Sequence, residues 1–203
     1  MSFFKRNRDE LASLGIDPAR LPPGQYHTKR FPVLHAGSVP EVDLDDWDFV
    51  IDGLVAEPKK WSWSEIEAMP TADTTADIHC VTKWSKFDTS WKGVPVNHLW
   101  EQIAPSPDAT HVMINAYHGF TANLPIEDFL AHENLFAHTY EGEPLELNHG
   151  YPLRLVVPHL YFWKSVKWVR GFTLISEDAP GFWERNGYHM YGDPFQEQRY
   201  WGD

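Results

Sequence analysis

A single cysteine, Cys80, stands among the 203 residues. No intrachain disulfide can staple the fold, and a reducing compartment is compatible with that usage. Long apolar runs are missing too. After the basic start Lys5-Arg6-Asn7-Arg8 no apolar stretch follows, and Asp9 and Glu10 come at once. Neither a signal peptide, a twin-arginine leader nor a membrane span is expected, which makes a cytoplasmic location the default. Cations are scarce: 17 Lys and Arg against 29 Asp and Glu give a formal net charge of −12. That balance argues against a nucleic-acid surface, where phosphates must be neutralised, and against docking on anionic lipid. There is no C-x-x-C, no H-E-x-x-H, no EF-hand loop, no phosphate loop and no G-x-G-x-x-G. The 11 histidines are scattered and suggest no His-only zinc site.

Aromatics, by contrast, are plentiful, with 10 Trp and 12 Phe. They suit either a core built on large rings or a deep cleft walled by them. Hydrophobic residues at 42% and charged residues at 23% describe a globular chain able to bury a core without staples. Residues 1–30 read as an N-terminal arm, with a short helix over 9–14 and a break at Leu21-Pro22-Pro23-Gly24. Residues 31–203 read as one domain. Strands are predicted over 47–55, 76–82, 111–116, 153–157 and 166–175. Helices are predicted over 63–68, where Ser62 and Glu65 have capping-box spacing, over 96–103 and over 126–132. Residues 136–140 and 144–147 can form a hairpin across Glu141-Gly142. The tail after Ala179 reads as extended. The pattern is α+β, a single domain of short mixed elements.

Two places carry chemistry. Cys80 lies in Ile78-His79-Cys80-Val81-Thr82-Lys83-Trp84, where His79 and Lys83 could favour a thiolate, a soft ligand for a soft metal. A lone cysteine is equally a small buried hydrophobe. Downstream, Arg154, Lys164, Lys167 and Arg170 gather four cations in an acidic chain. Arg154 opens a very apolar strand, where a charge is costly unless paired. Arginine can fork onto a phosphate and Lys164 can add a point charge. An ordinary strand face with an Arg–carboxylate pair remains the alternative.

These residues resemble the sulfite oxidase family of molybdopterin oxidoreductases. The likeness is strongest to its bacterial stand-alone branch, related to the catalytic subunit of protein-methionine-sulfoxide reductase. The anchors are Phe49-Val50-Ile51-Asp52-Gly53-Leu54-Val55, Cys80-Val81-x-x-Trp84, Gly150-x-Pro152-x-Arg154-Leu155-Val156-Val157-Pro158 and Lys164-Ser165-Val166-Lys167-Trp168. The resemblance implies a mixed α/β fold around a molybdenum–molybdopterin cofactor, with tungsten as a possible metal and Cys80 as metal ligand. It implies cofactor contacts at His35, Thr121, His149, Arg154, Lys164 and Ser165. It places Tyr188 near the metal, and Tyr188 or Lys83 would orient a substrate oxygen. Trp84, Trp91 and Trp163 would line the pocket. The run after Cys80 lacks the arginines of sulfite oxidases, and their dimerisation domain has no counterpart. The expected activity is oxygen-atom transfer on a small sulfite- or sulfoxide-like molecule, with electrons exchanged through a separate partner. Two rivals stand beside it: a hydrolase or transferase using Cys80 as nucleophile, and a binding module without cofactor.

Overall fold

The computed structural model describes residues 10–131 and 133–203. One sheet has six strands: β1 (Tyr26–His27), β4 (Ala72–His79), β5 (Trp84–Pro95), β8 (Leu135–Tyr140), β9 (Glu143–Pro144) and β10 (Arg154–Val156). Its spine runs β1-β5-β8-β10, with β4 on β5 and β9 on β8. The other has five, ordered β3 (Lys59–Ser62), β2 (Asp48–Gly53), β11 (Val169–Ile175), β6 (His111–Ala116) and β7 (Thr121–Pro125). The pairs β1·β5 and β2·β11 are parallel and the rest antiparallel, so both sheets are mixed. Short helices α1 (Trp63–Glu67), α2 (Val96–Trp100), α3 (Ile126–Phe129) and α4 (Phe182–Arg185) complete an α+β fold. Among the described residues no helix is long and apolar enough to cross a membrane.

Alternation builds the core. Phe49 and Ile51 of β2, Val112 and Ile114 of β6, and Phe172 and Leu174 of β11 are all buried on one face. Phe136 reaches them from β8 of the other sheet. Its ring centroid lies 5.0 Å from that of Phe49 and 6.3 Å from that of Phe172. This aromatic layer joins the two sheets face to face. Glycine permits the closest backbone approach at Gly171 (φ +140°), where an added Cβ would meet the Val50 carbonyl oxygen at 1.8 Å.

The capping box at Ser62 and Glu65 forms, and α1 stops at Glu67. The strand expected over 111–116 is β6 without a change of boundary. The strand expected over 76–82 instead ends at His79, which leaves Cys80 in the following turn. The helix predicted over 126–132 ends at Phe129, and His132 lies outside the described residues. The tail carries α4 and is not purely extended. Residue 9 of the predicted first helix also lies outside the described residues, while residues 10–13 are helical. The segment read as an arm adds β1 to the six-stranded sheet. The Arg20 guanidinium ties that segment to Asp77 on β4, at 2.6 and 2.8 Å.

Phe136→Ala should cost about 3–5 kcal/mol, because it empties the layer between the sheets. The urea midpoint should fall with an unchanged slope. A midpoint within error of wild type would show that the sheets are not joined there.

Candidate functional site

Cys80 sits in a tight turn between β4 and β5. Its N–H donates to the Trp84 carbonyl (2.9 Å), and the Lys83 N–H donates back to the Cys80 carbonyl (2.9 Å). Lys83 adopts φ 78°, an uncommon conformation outside glycine, which turns the chain tightly enough to put Thr82 and Lys83 in solvent. Cys80 is 8% exposed and lines a cavity of about 430 Å³. Its hydrogen-bond partner is the Thr82 hydroxyl at 3.1 Å. Burial pushes the thiol up from its ordinary value, against the weaker pull of Thr82. The thiolate-favouring field expected from His79 and Lys83 does not materialise. Burial holds the His79 imidazole down to about 4, so it is neutral near pH 7, and its ring bonds Ser85 at 2.8 Å.

Arg154 opens β10 and reaches the same cavity with 2% exposure. Its two terminal nitrogens donate to the carbonyls of His149 and Ser165, each at 2.8 Å. Its Nε has no partner among the described residues. Among the described residues no carboxylate pairs with it. The guanidinium lies 4.3 Å from the Phe162 ring centroid and 5.3 Å from that of Trp91. Those faces offset part of the lost hydration. Burial nevertheless pushes Arg154 down to about 9. Lys167 shares the cavity and donates to the Asn148 carbonyl at 2.8 Å. Burial, helped by Arg154, holds it down to about 7. His149 stacks on Phe31 (4.1 Å between centroids), and burial with Arg154 keeps its imidazole below the usual range. His149 has the Glu146 carboxylate 3.3 Å away, but among the described residues neither the buried Arg154 nor the half-buried Lys167 pairs with one, and cations left so beside a cavity have the chemistry of an anion site.

Several expected residues do meet here. His35, His149, Arg154, Ser165 and Tyr188 line the cavity with Cys80, as do Trp84 and Trp163. Ser165 holds the walls together: its hydroxyl accepts from the Val157 N–H at 2.9 Å while its carbonyl takes Arg154. Tyr188 stacks on Trp183 (4.8 Å) and stands edge-on to Trp163 (5.0 Å). Burial, then Tyr200 and Cys80, push its phenol up. The Trp84 indole N–H is buried and has no acceptor among the described residues.

Other expectations need correction. Lys164 does not line the cavity: its ammonium is locked onto Glu184 (2.7 Å), Asn123 and Met190 in a fully buried pair. Arg170 is turned to Asp48. Thr121 lies outside the cavity, its hydroxyl 3.5 Å from Arg185. Lys83 is exposed and does not line the cavity. Trp91 backs Arg154 and does not face the cavity. Sequence reasoning missed Lys167, Phe31, Phe162 and His118 as lining residues. The signal for Lys167 was there, since it was one of the four clustered cations. His118 lines the cavity from the turn after β6, where it adopts φ 59°, a placement its spacing does not announce.

Comparison with known proteins gives the family and the fold. A protein-family profile described as "Oxidoreductase molybdopterin binding domain" matches residues 36–183. The oxidoreductase YuiH of Bacillus subtilis is 49% identical over 185 residues, covering 91% of this chain and 93% of that protein. The protein-methionine-sulfoxide reductase catalytic subunit MsrP of Gluconobacter oxydans is 28% identical over 164 residues, covering 72% of this chain. The chain spans about half of that relative's length, 52%. Among solved structures, the sulfane dehydrogenase SoxCD from Paracoccus pantotrophus shares the fold with a TM-score of 0.64. The match covers 70% of this chain and 41% of that one at 23% identity.

The cation set makes a prediction for the protein without an anionic ligand. Between about pH 7 and the ordinary lysine value of 10.5, folded Lys167 carries less proton than the unfolded chain does. Stability should therefore rise with pH across that window. The denaturation midpoint should be higher at about pH 9 than at about pH 7.5, and Lys167→Met should flatten the rise. A falling midpoint in the wild type would contradict the assignment.

With the profile matching residues 36–183 and the 49% identity to YuiH, the chain belongs to the oxidoreductase molybdopterin binding domain family, which implies a molybdenum–molybdopterin cofactor.

Proposed function

We propose that the enzyme transfers an oxygen atom to or from a small uncharged substrate of the sulfoxide type, with Cys80 as the protein ligand to molybdenum. The observation that carries the reading is Arg154: a buried guanidinium without a carboxylate, in the cavity of the only thiol. The residues fit the cofactor. An anionic phosphate would satisfy the unpartnered Nε of Arg154 and relieve Lys167. A thiolate suits a soft metal, and burial keeps it from solvent. Among the described residues no group of three His, Cys, Asp or Glu side chains converges, so a metal at Cys80 needs further donors from a ligand.

When bound, the cofactor supplies a two-electron centre able to give or accept an oxygen atom. The chain does the rest. Arg154, Lys167 and His149 bind the anionic end, and His35 flanks the mouth. Phe162, Trp163, Trp183 and Phe182 exclude water. Tyr188, kept protonated by burial, can donate a hydrogen bond to a substrate oxygen beside Cys80.

The charge distribution favours a neutral substrate over an oxyanion. Among the described residues Arg154 and Lys167 are the only lysines or arginines lining the cavity. Among the described residues, burial and Thr82 set the state of the Cys80 thiol, with no cation beside them. Electrons then enter or leave through a separate redox partner. The nucleophile alternative is weakened because, among the described residues, no histidine is hydrogen-bonded to the sulfur: its partner is Thr82, and the neighbouring His79 bonds Ser85.

Purified protein from a host that makes the cofactor should contain about one molybdenum (or tungsten) per chain. Cys80→Ala should fold, retain the organic part of the cofactor and lose sulfoxide reduction. Turnover unchanged in that variant would refute the ligand role. Arg154→Ala should lose cofactor more readily than it loses fold, by about 2 kcal/mol or more in binding. Full occupancy in that variant would remove the phosphate assignment.

A further inference from the structure

We infer that Gln25, braced by Arg199, is a positioning residue that fixes the direction of the Cys80 sulfur, an inference that rests on Cys80 being the metal ligand. Gln25 is 1% exposed and lies far from Cys80 in sequence. Its amide nitrogen donates to the Cys80 carbonyl (3.0 Å) and the Trp84 carbonyl (3.0 Å), with the Ser85 hydroxyl at 3.3 Å. Those two carbonyls are the ends of the turn that carries the thiol. Each already accepts one backbone N–H from within the turn, and Gln25 takes up remaining acceptor capacity on both. The turn contains Lys83 at φ 78°, so its shape needs outside support to persist.

That support comes from both ends of the chain. The Gln25 carbonyl accepts from the Arg199 guanidinium at 3.1 Å. The same nitrogen donates to the Pro23 carbonyl (3.1 Å), and its neighbour pairs with Glu197 (2.8 Å). Arg199 lies over Tyr161 (5.3 Å to the ring centroid), and Tyr161 stacks on the cavity wall Trp163 (5.4 Å). A segment preceding the domain and the C-terminal tail therefore meet behind the cysteine turn. The amide holds the carbonyl of residue 80, and with it the backbone from which the sulfur projects. Outer contacts of this kind orient a metal's protein ligand.

A purely anchoring role, in which Gln25 only fastens residues 20–27, makes different predictions. Gln25→Glu keeps the Arg199 contact as an ion pair but cannot donate to two carbonyls. Arg20→Gln loosens the same segment at Asp77 and leaves the turn untouched. The test uses the cofactor-loaded protein. It reads the visible sulfur-to-metal absorption band, the molybdenum X-ray absorption edge and the metal retained after dialysis.

Gln25→Glu should shift the band and the edge and lower cofactor retention about tenfold, while Arg20→Gln leaves all three in place. Wild-type spectra in Gln25→Glu, or an equal shift in Arg20→Gln, would overturn the inference. Should Gln25→Glu fail to fold, Arg199→Met gives the second reading: a shift in the same direction supports the brace, and an unchanged band overturns it. Failure of the ligand reading looks different, because the wild-type band would then survive Cys80→Ala.

Discussion

A guanidinium without a carboxylate, sealed among rings, organises the site. Arg154 is held by two carbonyls and by the faces of Phe162 and Trp91, which keep it in place but do not neutralise it. Burial pushes both Arg154 and its neighbour Lys167 down, so the protein alone holds these charges at a cost. In a chain with an excess of acids, leaving a buried guanidinium and a half-buried lysine open to a cavity makes physical sense when an anionic ligand completes them. The other two cations of the same stretch do not have this property. Lys164 is matched by Glu184 and Arg170 by Asp48, and both serve the fold.

The architecture explains how thiol and cations come to share one cavity. The six-stranded sheet contributes Cys80 just after β4 and Arg154 at the start of β10, on opposite sides of β5 and β8. The loop between β10 and β11 brings Phe162, Trp163, Ser165 and Lys167 across the gap. The tail after α4 adds Tyr188 and, through Arg199, reaches back behind the cysteine turn. Charge is segregated within this frame: Arg154 and Lys167 stand together, and aromatic rings with a neutral phenol surround the sulfur.

Much of this was legible in the sequence, though unevenly. Strongly alternating β-branched runs such as His111–Ala116 gave correct strands, and the Ser62–Glu65 spacing gave α1. The longest strand, β5, was missed. Its buried face carries Ser85, Thr89 and Gly93 beside Phe87 and Trp91, so hydrophobic contrast between its two sides is weak. Cys80 and Arg154 were legible because each is unusual for its surroundings, a lone thiol and a charge in an apolar strand. Which lysine faces the cavity was not legible. Lys164 and Lys167 are three residues apart, and only the position of Glu184, brought in from the tail, decides that Lys164 turns away. Gln25 was invisible for a similar reason: its partners lie 55 and 174 residues away.

Anomalous diffraction at the molybdenum edge, from crystals of the cofactor-loaded protein, tests the central claim most directly. The account predicts one strong peak in bonding contact with Cys80 Sγ and an anionic oxygen on the Arg154 guanidinium. A peak elsewhere in the chain, or an Arg154 that meets no anion, would contradict it.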